Sequence, residues 1–375
     1  MVFMSKPTLP ARRIIELDLL RGFFIVVIIL DHLQFWPSPL QYFTGQGRLW
    51  VSAAEGFFLI SGLLIGYLRA YKGAGEPLKD LSIKLWKRAG MLWLWCVIVT
   101  LIVLALSVYL PGSNALLPEL PTADLAPSQT ALIWNIVTMN YASDWIYFLR
   151  LYAIMLALTP VFVWFIRQKQ VFAFFTLMAV SYVVSVVFGF SEAALQWQVL
   201  YFGAALIGWK LETILAWFAA RPSLRAATIF GLITVTLATM VFSYFMVHGW
   251  AYVESSTTSI SLDTYLSIRS NVDPVFSNNP MALPRILLSF VWFGGLLALF
   301  YVGKKWIERY LGWLLLDFGR ASLSVYCLQA IVLVVVLKLI QPTGNFWLNA
   351  VVGLAILVLI WGLLKIPLLN KILPK

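Results

Sequence analysis

The sequence has few charged residues, and this scarcity excludes most soluble proteins. Only 11% of its 375 residues are Asp, Glu, Lys or Arg, while 61% are hydrophobic. A soluble domain carries about a quarter charged residues, and the mean hydropathy of this chain is +0.88. Most of the chain therefore cannot face water.

Cysteine and nucleotide-binding motifs are also scarce. Cys96 and Cys327 both lie in apolar runs, so we expect no structural disulfide, and we predict no metal site. No phosphate-binding loop of the form G-x-x-x-x-G-K-[ST] is present, so nothing indicates ATP-driven work. Arg12 and Arg13 precede a long apolar run that has no small-residue cleavage site. We therefore expect this run to be the first helix of the mature protein and not a signal peptide.

Continuous apolar segments dominate the chain and predict transmembrane helices. A helix that crosses the membrane needs about 20 apolar residues, and continuous rather than alternating runs indicate helices and not a barrel. The sequence predicts an all-α polytopic membrane protein, a single domain over residues 1–375 with no appended soluble domain. The ten predicted spans are 14–34, 49–69, 88–110, 146–166, 171–190, 195–216, 225–247, 284–303, 318–340 and 346–367.

The distribution of basic residues predicts the orientation of these spans. The chain has 27 Lys and Arg against 16 Asp and Glu, and topology explains this net charge of +11 better than nucleic acid does. With Lys6, Arg12 and Arg13 inside, most other basic residues also fall on the inner side. We predict a cell-membrane protein in contact with lipid, with both termini cytoplasmic and long outer loops at 111–145 and 248–283. Within the first loop, 131–139 is too short to span.

The first predicted span carries several ionisable residues at membrane depth. Burying a charge at mid-membrane costs several kcal/mol, so such residues usually pair, face the bundle interior and mark a function. At about 100° per residue, Arg21 and His32 return to the same helix face, roughly 16 Å apart along its axis. Asp18 lies one turn before Arg21 on this face and can pair with it.

These positions predict a base and an anion-binding group on one stripe of the first helix, facing a shared, solvent-reachable tunnel that crosses the membrane. His32 is a candidate general base near neutral pH, and Arg21 would hold an anionic or carbonyl group deeper in the membrane. Asp31 and Glu55 complete the predicted catalytic set, with Glu55 near the outer end of span two orienting His32. The alternative is an interfacial Asp31–His32 pair that ends the helix, with Asp18–Arg21 as a structural ion pair.

Polar residues in spans six and nine are candidates to line one cavity together with Arg21 and His32. Ser322, Tyr326 and Gln329 fall at i, i+4 and i+7, which is one face of a helix. They either line the cavity, where we predict substrate contacts, or form hydrogen bonds between helices. Trp197 and Gln198 open span six, where Trp197 is either an interface anchor or a stacking surface for a sugar ring.

Ser61 and a basic cluster are two further candidates for binding groups of the predicted cavity. Ser61, in the Ser61-Gly62 step of span two, either lines the cavity or belongs to a close helix contact. The inner loop before span three carries a basic cluster, which either docks a phosphorylated donor such as coenzyme A, binds anionic lipid, or only sets topology. The cluster consists of Lys79, Lys84, Lys87 and Arg88.

Together these residues resemble the acyltransferase 3 superfamily of membrane O-acyltransferases. The resemblance covers essentially the whole chain and is closest to the OpgC-like branch, which succinylates osmoregulated periplasmic glucans. Its three main elements are Arg21-x10-His32, Phe57-Phe58-x-x-Ser61-Gly62, and Gly319-x-x-Ser322 through Tyr326. The branch is indicated by Asp18-Leu19-Leu20-Arg21-Gly22, Asp31-His32, Glu55 to Gly62, and Ala193 to Gly203.

The resemblance implies an enzyme that moves a succinyl or acetyl group from cytoplasmic acyl-CoA to a hydroxyl of an extracytoplasmic glycan. It implies acyl-CoA as a co-substrate, with no permanently bound cofactor, engaged by Arg21, Asp18, Ser61 and Arg88. His32 would deprotonate the acceptor hydroxyl or assist direct transfer. Many superfamily members have a histidine where this chain has Gln329. No SGNH-type hydrolase segment follows, so the membrane domain or a partner would complete the transfer.

Two other function classes fit the same sequence. A transporter of a glycan, a lipid-linked sugar or an acyl donor would use a charged stripe equally well. A membrane scaffold would use the polar residues only for packing, and the two cationic positions on one face of the first helix disfavour it. A covalent ester product separates the enzyme from both alternatives.

Overall fold

The computed structural model describes residues 14–112, 114–190, 192–255 and 259–374, and this part of the chain is helical. Within it, strand-like pairing is limited to an isolated bridge between Asn278 and Met281. The predicted all-α fold is confirmed, and each predicted span coincides with a helix. The helices are α1 (Ile15–Leu33), α2 (Leu40–Thr44), α3 (Ala53–Ile65), α4 (Leu78–Tyr109), α5 (Gln129–Val137), α6 (Tyr147–Arg167), α7 (Val171–Val187), α8 (Ala194–Trp209), α9 (Leu211–Ala219), α10 (Pro222–His248), α11 (Trp250–Glu254), α12 (Leu262–Val272), α13 (Leu283–Arg320), α14 (Ser322–Leu339), α15 (Phe346–Leu364) and α16 (Pro367–Ile372).

The helices of the described chain are those of a polytopic membrane protein. Seven are long and apolar enough to cross a membrane, with α3 continued by a π-helical turn over Gly66–Lys72. The pair α8–α9, bent by 56°, would make an eighth. Two further helices fall outside this group. α7 is shorter, with 17 residues, and α1 carries four charged residues, namely Glu16, Asp18, Arg21 and Asp31. The count of ten crossings therefore stays a prediction.

The predicted orientation also stays a prediction, because part of its support is not described. The basic residues Lys6, Arg12 and Arg13, together with Lys375, lie outside the described residues. Both termini are thus placed by the positive-inside rule alone.

Two helices extend well past the end that the sequence predicted for them. α4 begins at Leu78, ten residues before the predicted start of span three at 88, so the basic cluster lies on its first turns and not in a loop. α13 has 38 residues and ends at Arg320, whereas we predicted that this helix ends near residue 303. This is about 57 Å of helix, nearly twice the thickness of the hydrocarbon core. Hydropathy marks only the apolar part of a helix, whereas Lys, Arg and Glu also favour helix and extend it.

Glycine residues allow a close helix contact between α1 and α13. A Cβ atom on Gly22 would lie 2.0 Å from the carbonyl oxygen of Leu315, and one on Gly319 would lie 1.8 Å from the carbonyl oxygen of Asp18. Small residues let membrane helices approach until their backbones touch. α1 is thereby fixed against α13, and it also packs on α3, α14 and α15.

The segment after α1 folds back along the C-terminal half of that helix. The ring of Phe43 on α2 lies 5.2 Å from the ring of Phe23, which is near the middle of α1. The Thr44 hydroxyl, at the end of α2, and the Gly47 N–H, in the 3-10 turn that follows, donate to the carboxylate of Asp31. Irregular backbone at membrane depth is tolerated where it is buried or lines a cavity.

Both predicted outer loops contain helices, and the second is packed on the bundle. Loop 111–145 contains α5, whose 9 residues cannot cross a membrane. Loop 248–283 contains α11, α12 and a 3-10 turn over Asp273–Phe276. In that turn the Phe276 ring stacks on Trp50 with centroids 4.2 Å apart, and the Met281 N–H donates to Gln196 Oε1 at 2.7 Å. This loop forms a cap over the outer ends of α3 and α8.

Candidate active site

A cavity lies between α1, α3, α4, α6 and α14. It contains about 640 Å³ of empty space, including solvent at its mouth. Five predicted site residues line it, namely Arg21, Ser61, Arg88, Ser322 and Tyr326. The remaining wall is apolar or aromatic and consists of Ile28, Ala54, Phe57, Phe58, Phe148, Leu149, Tyr152 and Leu323.

The charge and burial of the lining residues give the cavity a direction. Arg88 is exposed and follows exposed Lys84 and Lys87 on α4, so this end is open and basic. Ile28 and Leu149 are buried and mark the closed end. Low-dielectric walls around positive charge focus the potential and attract an anion. The cavity is therefore suited to a long ligand with an anionic group at one end.

The His32 imidazole lies one turn beyond the closed end of this cavity. Ile28 is four residues before His32, about 6 Å along the helix axis. The Nδ1 atom of His32 is 3.3 Å from Gln329 Oε1, and its ring stacks on Trp145 with centroids 5.6 Å apart and planes at 13°. The lining residues stop short of His32, so the continuous passage from Arg21 to His32 that we expected is interrupted in this conformation.

Gln329 contacts the imidazole, whereas the sequence predicted a contact with substrate. Its side chain is fully buried on α14, one turn beyond Tyr326. In this orientation of the amide, Gln329 Oε1 accepts from Nδ1–H of His32, and the lone pair of Nε2 is left for a base. The Gln329 Nε2 atom is buried and has no hydrogen-bond partner among the described residues, and the exchanged amide orientation would place the imidazole proton on Nε2.

Trp145 is a site residue that the sequence analysis missed. It is buried directly before α6, at the end of the first outer loop, and covers one face of the imidazole. The available signal was a tryptophan at the outer end of a span, which is equally typical of an interface anchor. The pairing with His32 joins residues more than a hundred positions apart and cannot be read from spacing.

Asp31 turns away from the imidazole, although it is the neighbouring residue. Consecutive side chains point about 100° apart around a helix, and the Asp31 carboxylate accepts hydrogen bonds from Thr44 and Gly47. It also lines a second cavity on another side of α1. The geometry thus places Asp31 outside the group around His32, contrary to the predicted catalytic role.

Glu55 contacts Arg285 and Ser52, and no hydrogen bond joins it to His32 among the described residues. Its Oε1 atom lies 2.5 Å from Arg285 Nη2, and both residues are buried. Its Oε2 atom accepts hydrogen bonds from the Ser52 N–H at 2.9 Å and from the Ser52 hydroxyl. Ser52 caps α3 in return. The Ser-x-x-Glu spacing is a capping-box signature that the sequence does contain, whereas the partner Arg285 is distant in sequence.

Trp197 and Gln198 both make packing contacts with neighbouring helices. Trp197 is 8% exposed and meets the rings of Phe58 and Phe148 edge-on at 5.0 Å. Gln198 is half-buried, and its Nε2 donates to the Ser181 hydroxyl at 2.6 Å, joining α8 to α7. Neither residue lines the cavity, and their substrate contacts stay a prediction. Trp197 packs behind Phe58 and Phe148, which line the cavity.

Ser61 and Asp18 occupy different positions relative to the cavity. The Ser61 hydroxyl lines it while donating to the Phe57 carbonyl at 2.9 Å. A Cβ atom on the next residue, Gly62, would lie 2.0 Å from the Tyr201 carbonyl oxygen, so this step also packs α3 on α8. Asp18 is buried on α1 and is not among the lining residues. Its pairing with Arg21 stays a prediction.

Comparisons with known proteins give one finding. The model of a protein family described as OpgC protein matches residues 13–367, a range that includes every helix lining the cavity. Comparisons with curated proteins and with solved structures found no match. Among the described residues, no group of three or more His, Cys, Asp and Glu side chains is placed to hold a metal ion.

Proposed function

The chain belongs to the OpgC family, and from this membership and the cavity beside α1 we propose that it is a membrane-embedded O-acyltransferase. It would move an acyl group, succinyl in preference to acetyl, from cytoplasmic acyl-CoA to a hydroxyl of an extracytoplasmic glycan. The observation that carries the proposal is the alignment of Arg88, Arg21 and Tyr326 along one cavity that ends a turn below His32. These residues can bind a long ligand that extends from the positively charged surface at Arg88 toward His32.

The donor enters at the basic end of the cavity. Lys84, Lys87 and Arg88 attract the phosphates of the nucleotide, which stays outside the membrane. The pantetheine arm extends past Arg21 between apolar walls. The roughly 16 Å from Arg21 to His32 along α1 is comparable to the length of that arm. The thioester therefore reaches the outer half of the membrane without passage of the whole coenzyme.

The transfer step uses the Nε2 atom of His32 as the base. Nε2 takes the proton of the acceptor hydroxyl, and the oxygen attacks the carbonyl carbon of the thioester. The C–S bond breaks, the coenzyme A thiolate leaves, and it takes up the proton from the imidazolium. The hydroxyl of Tyr326, one turn before Gln329, donates to the carbonyl oxygen as negative charge develops there.

The passage to His32 opens on the acceptor side in this mechanism. Trp145 covers one face of the imidazole and Gln329 holds its Nδ1 atom, so the acceptor reaches Nε2 after the Trp145 ring shifts. Trp145 lies at the end of a loop whose helix, α5, is too short to cross the membrane. A segment of this kind moves at lower cost than a membrane helix.

Mass spectrometry of cell-envelope glycans tests the proposed reaction. Cells with the protein should contain glycans that carry an ester-linked acyl group, with a dicarboxylic increment for succinyl. Cells without the protein, or with His32→Ala, should lack it while the variant is inserted and folded normally. Glycans that are redistributed but not esterified would identify a transporter and refute the enzyme.

The chain offers a matched control for this experiment, because it has one other histidine. His248 ends α10 and its Nε2 lies 2.9 Å from the carbonyl oxygen of Gly45. His248→Ala should leave the ester yield near that of the wild type. Equal loss in both variants would remove His32 from its special role.

A further inference from the structure

A second cavity lies on another side of α1 from the candidate active site. It contains about 550 Å³ of empty space, including solvent at its mouth. Its walls are formed by α1, α10, α13 and the chain between α2 and α3, and they are mostly apolar and aromatic. The polar side chains on its wall are Asp31, Thr44, Ser52 and Ser289, which lie near the outer ends of their elements.

This cavity opens sideways, at membrane depth. Phe43 on its wall is 49% exposed, and its ring meets that of Phe23 near the middle of α1. From Asp31 down to Phe23 the cavity follows eight residues of α1, roughly 12 Å. The opening therefore faces the outer leaflet, and the depth accommodates part of one alkyl chain.

Asp31 is the ionisable group of this cavity, and one of its carboxyl oxygens has no hydrogen-bond partner. Oδ1 is buried and has no hydrogen-bond partner in the described part of the chain, although the carboxylate accepts from Thr44 and Gly47. No Lys, Arg or His is among the described lining residues. A carboxylate within the membrane costs several kcal/mol unless a partner neutralises it. The protein wall supplies hydrogen bonds here but no countercharge.

We propose that this cavity binds an outer-leaflet amphiphile with a primary ammonium head, such as phosphatidylethanolamine. The ammonium pairs with Asp31 Oδ1 and donates to the hydroxyl oxygens of Ser52 and Ser289, while one alkyl chain lies between Phe23 and Leu296. An anionic head would instead place like charges together. This selectivity is opposite to that expected from the net charge of +11, which attracts anionic lipids to the basic inner surface.

Native mass spectrometry of the purified protein tests this site. The protein is titrated in detergent with phosphatidylethanolamine and with phosphatidylglycerol that have identical chains. We expect the first binding event to favour phosphatidylethanolamine by about tenfold or more, since loss of a buried charge partner costs at least that factor. Equal binding of the two lipids, or no binding of either, would overturn the proposal.

Three variants locate the binding event. Asp31→Asn keeps the size of the side chain and should abolish the preference for the ammonium head. Val27→Phe fills the apolar wall and should weaken binding of both lipids. Asp124→Asn removes an exposed outer carboxylate and should change nothing. A preference that survives in Asp31→Asn, or that disappears in Asp124→Asn, would place the selective site elsewhere. None of these outcomes depends on acyl transfer.

Discussion

The His32 imidazole is held by two side chains that do different work. Gln329 Oε1 lies 3.3 Å from Nδ1, while Trp145 stacks on the ring and restrains its plane. Neither contact uses Nε2. In the proposed mechanism these two contacts orient His32 as a base before any substrate arrives, and such preorganisation makes general-base catalysis efficient.

Gln329→Leu tests the positioning role at the residue scale. The variant removes the acceptor for Nδ1, so the turnover number for acyl transfer should fall about tenfold or more. The KM for acyl-CoA should stay unchanged, because the donor lies in the cavity below. Gln329→Glu keeps an acceptor oxygen and should retain more activity than the leucine variant. Equal losses in the two variants, or a raised KM, would show that Gln329 contacts the donor or only packs.

The Glu55–Arg285 pair should contribute to stability and not to chemistry. Glu55→Gln leaves a buried guanidinium without its partner, which costs about 3–5 kcal/mol, and thermal unfolding in detergent measures it. Glu212→Gln is the control, because Glu212 pairs with Lys72 at 3.9 Å with both side chains about two-fifths exposed. Such a pair contributes about 1 kcal/mol or less. A stable Glu55→Gln variant that loses acyl transfer would return Glu55 to the active site.

The sequence predicted the functional residues of α1 better than their partners. The 11-residue spacing of Arg21 and His32 is a property of one helix, so it could be derived from periodicity alone. Trp145 and Arg285 could not, because their roles come from contacts across the fold. The prediction for Glu55 rested on its charge and did not use the capping signal at Ser52, so its helix-capping contact was missed.

At the scale of helices, the contact between α1 and α13 positions the donor cavity. Arg21 lies beside Gly22, and Gly22 touches the α13 backbone at Leu315. A change in the distance between these two helices would therefore move the guanidinium relative to the cavity. Glycine is required here by close approach and not by backbone conformation.

Gly319→Ala tests this helix contact. Its new Cβ atom would lie 1.8 Å from the Asp18 carbonyl oxygen, so α1 and α13 must separate at a cost of about 1–3 kcal/mol. Gly231→Ala on α10 is the control, because no atom lies within 4 Å of its Cβ position among the described residues. Alanine favours helix there by about 1 kcal/mol. Equal melting temperatures of the two variants in detergent would argue against backbone contact.

Helix positions were predictable and helix ends were not. Every predicted span contains a helix because a long apolar run at membrane depth has no other way to satisfy its backbone. The inner ends of α4 and α13 carry Lys and Arg in water, where hydropathy no longer indicates structure. The bend between α8 and α9 near Lys210 also could not be predicted from composition.

At the scale of the whole molecule, α1 separates two cavities of different chemistry. The cavity with Arg21 and Arg88 is basic at its open end, and the cavity with Asp31 has a carboxyl group with no basic side chain among its described lining residues. This arrangement agrees with a donor from the cytoplasm and an ammonium lipid from the outer leaflet. The interruption below His32, by contrast, depends on how the five helices around the cavity and the loop that ends at Trp145 pack together, so it could not be predicted from the sequence.

Cysteine labelling in intact cells tests the orientation. Lys84→Cys on α4 should react with a membrane-impermeant maleimide only after permeabilisation, and Asp124→Cys in the first outer loop should react without it. Cys96 and Cys327 are buried and should give little background in the unmodified chain. The reverse pattern of labelling would invert the membrane topology and place the basic end of the cavity outside.

Proteoliposomes with separated substrates provide the most direct test of the proposed function. Acyl-CoA is confined to the compartment that faces Arg88, the glycan acceptor is confined to the other, and esterified glycan is measured by mass. We predict that the wild-type protein forms the ester and releases coenzyme A on the donor side, while Arg21→Ala and His32→Ala form none. Absence of ester with the wild type, or wild-type yields from both variants, would contradict transfer along α1.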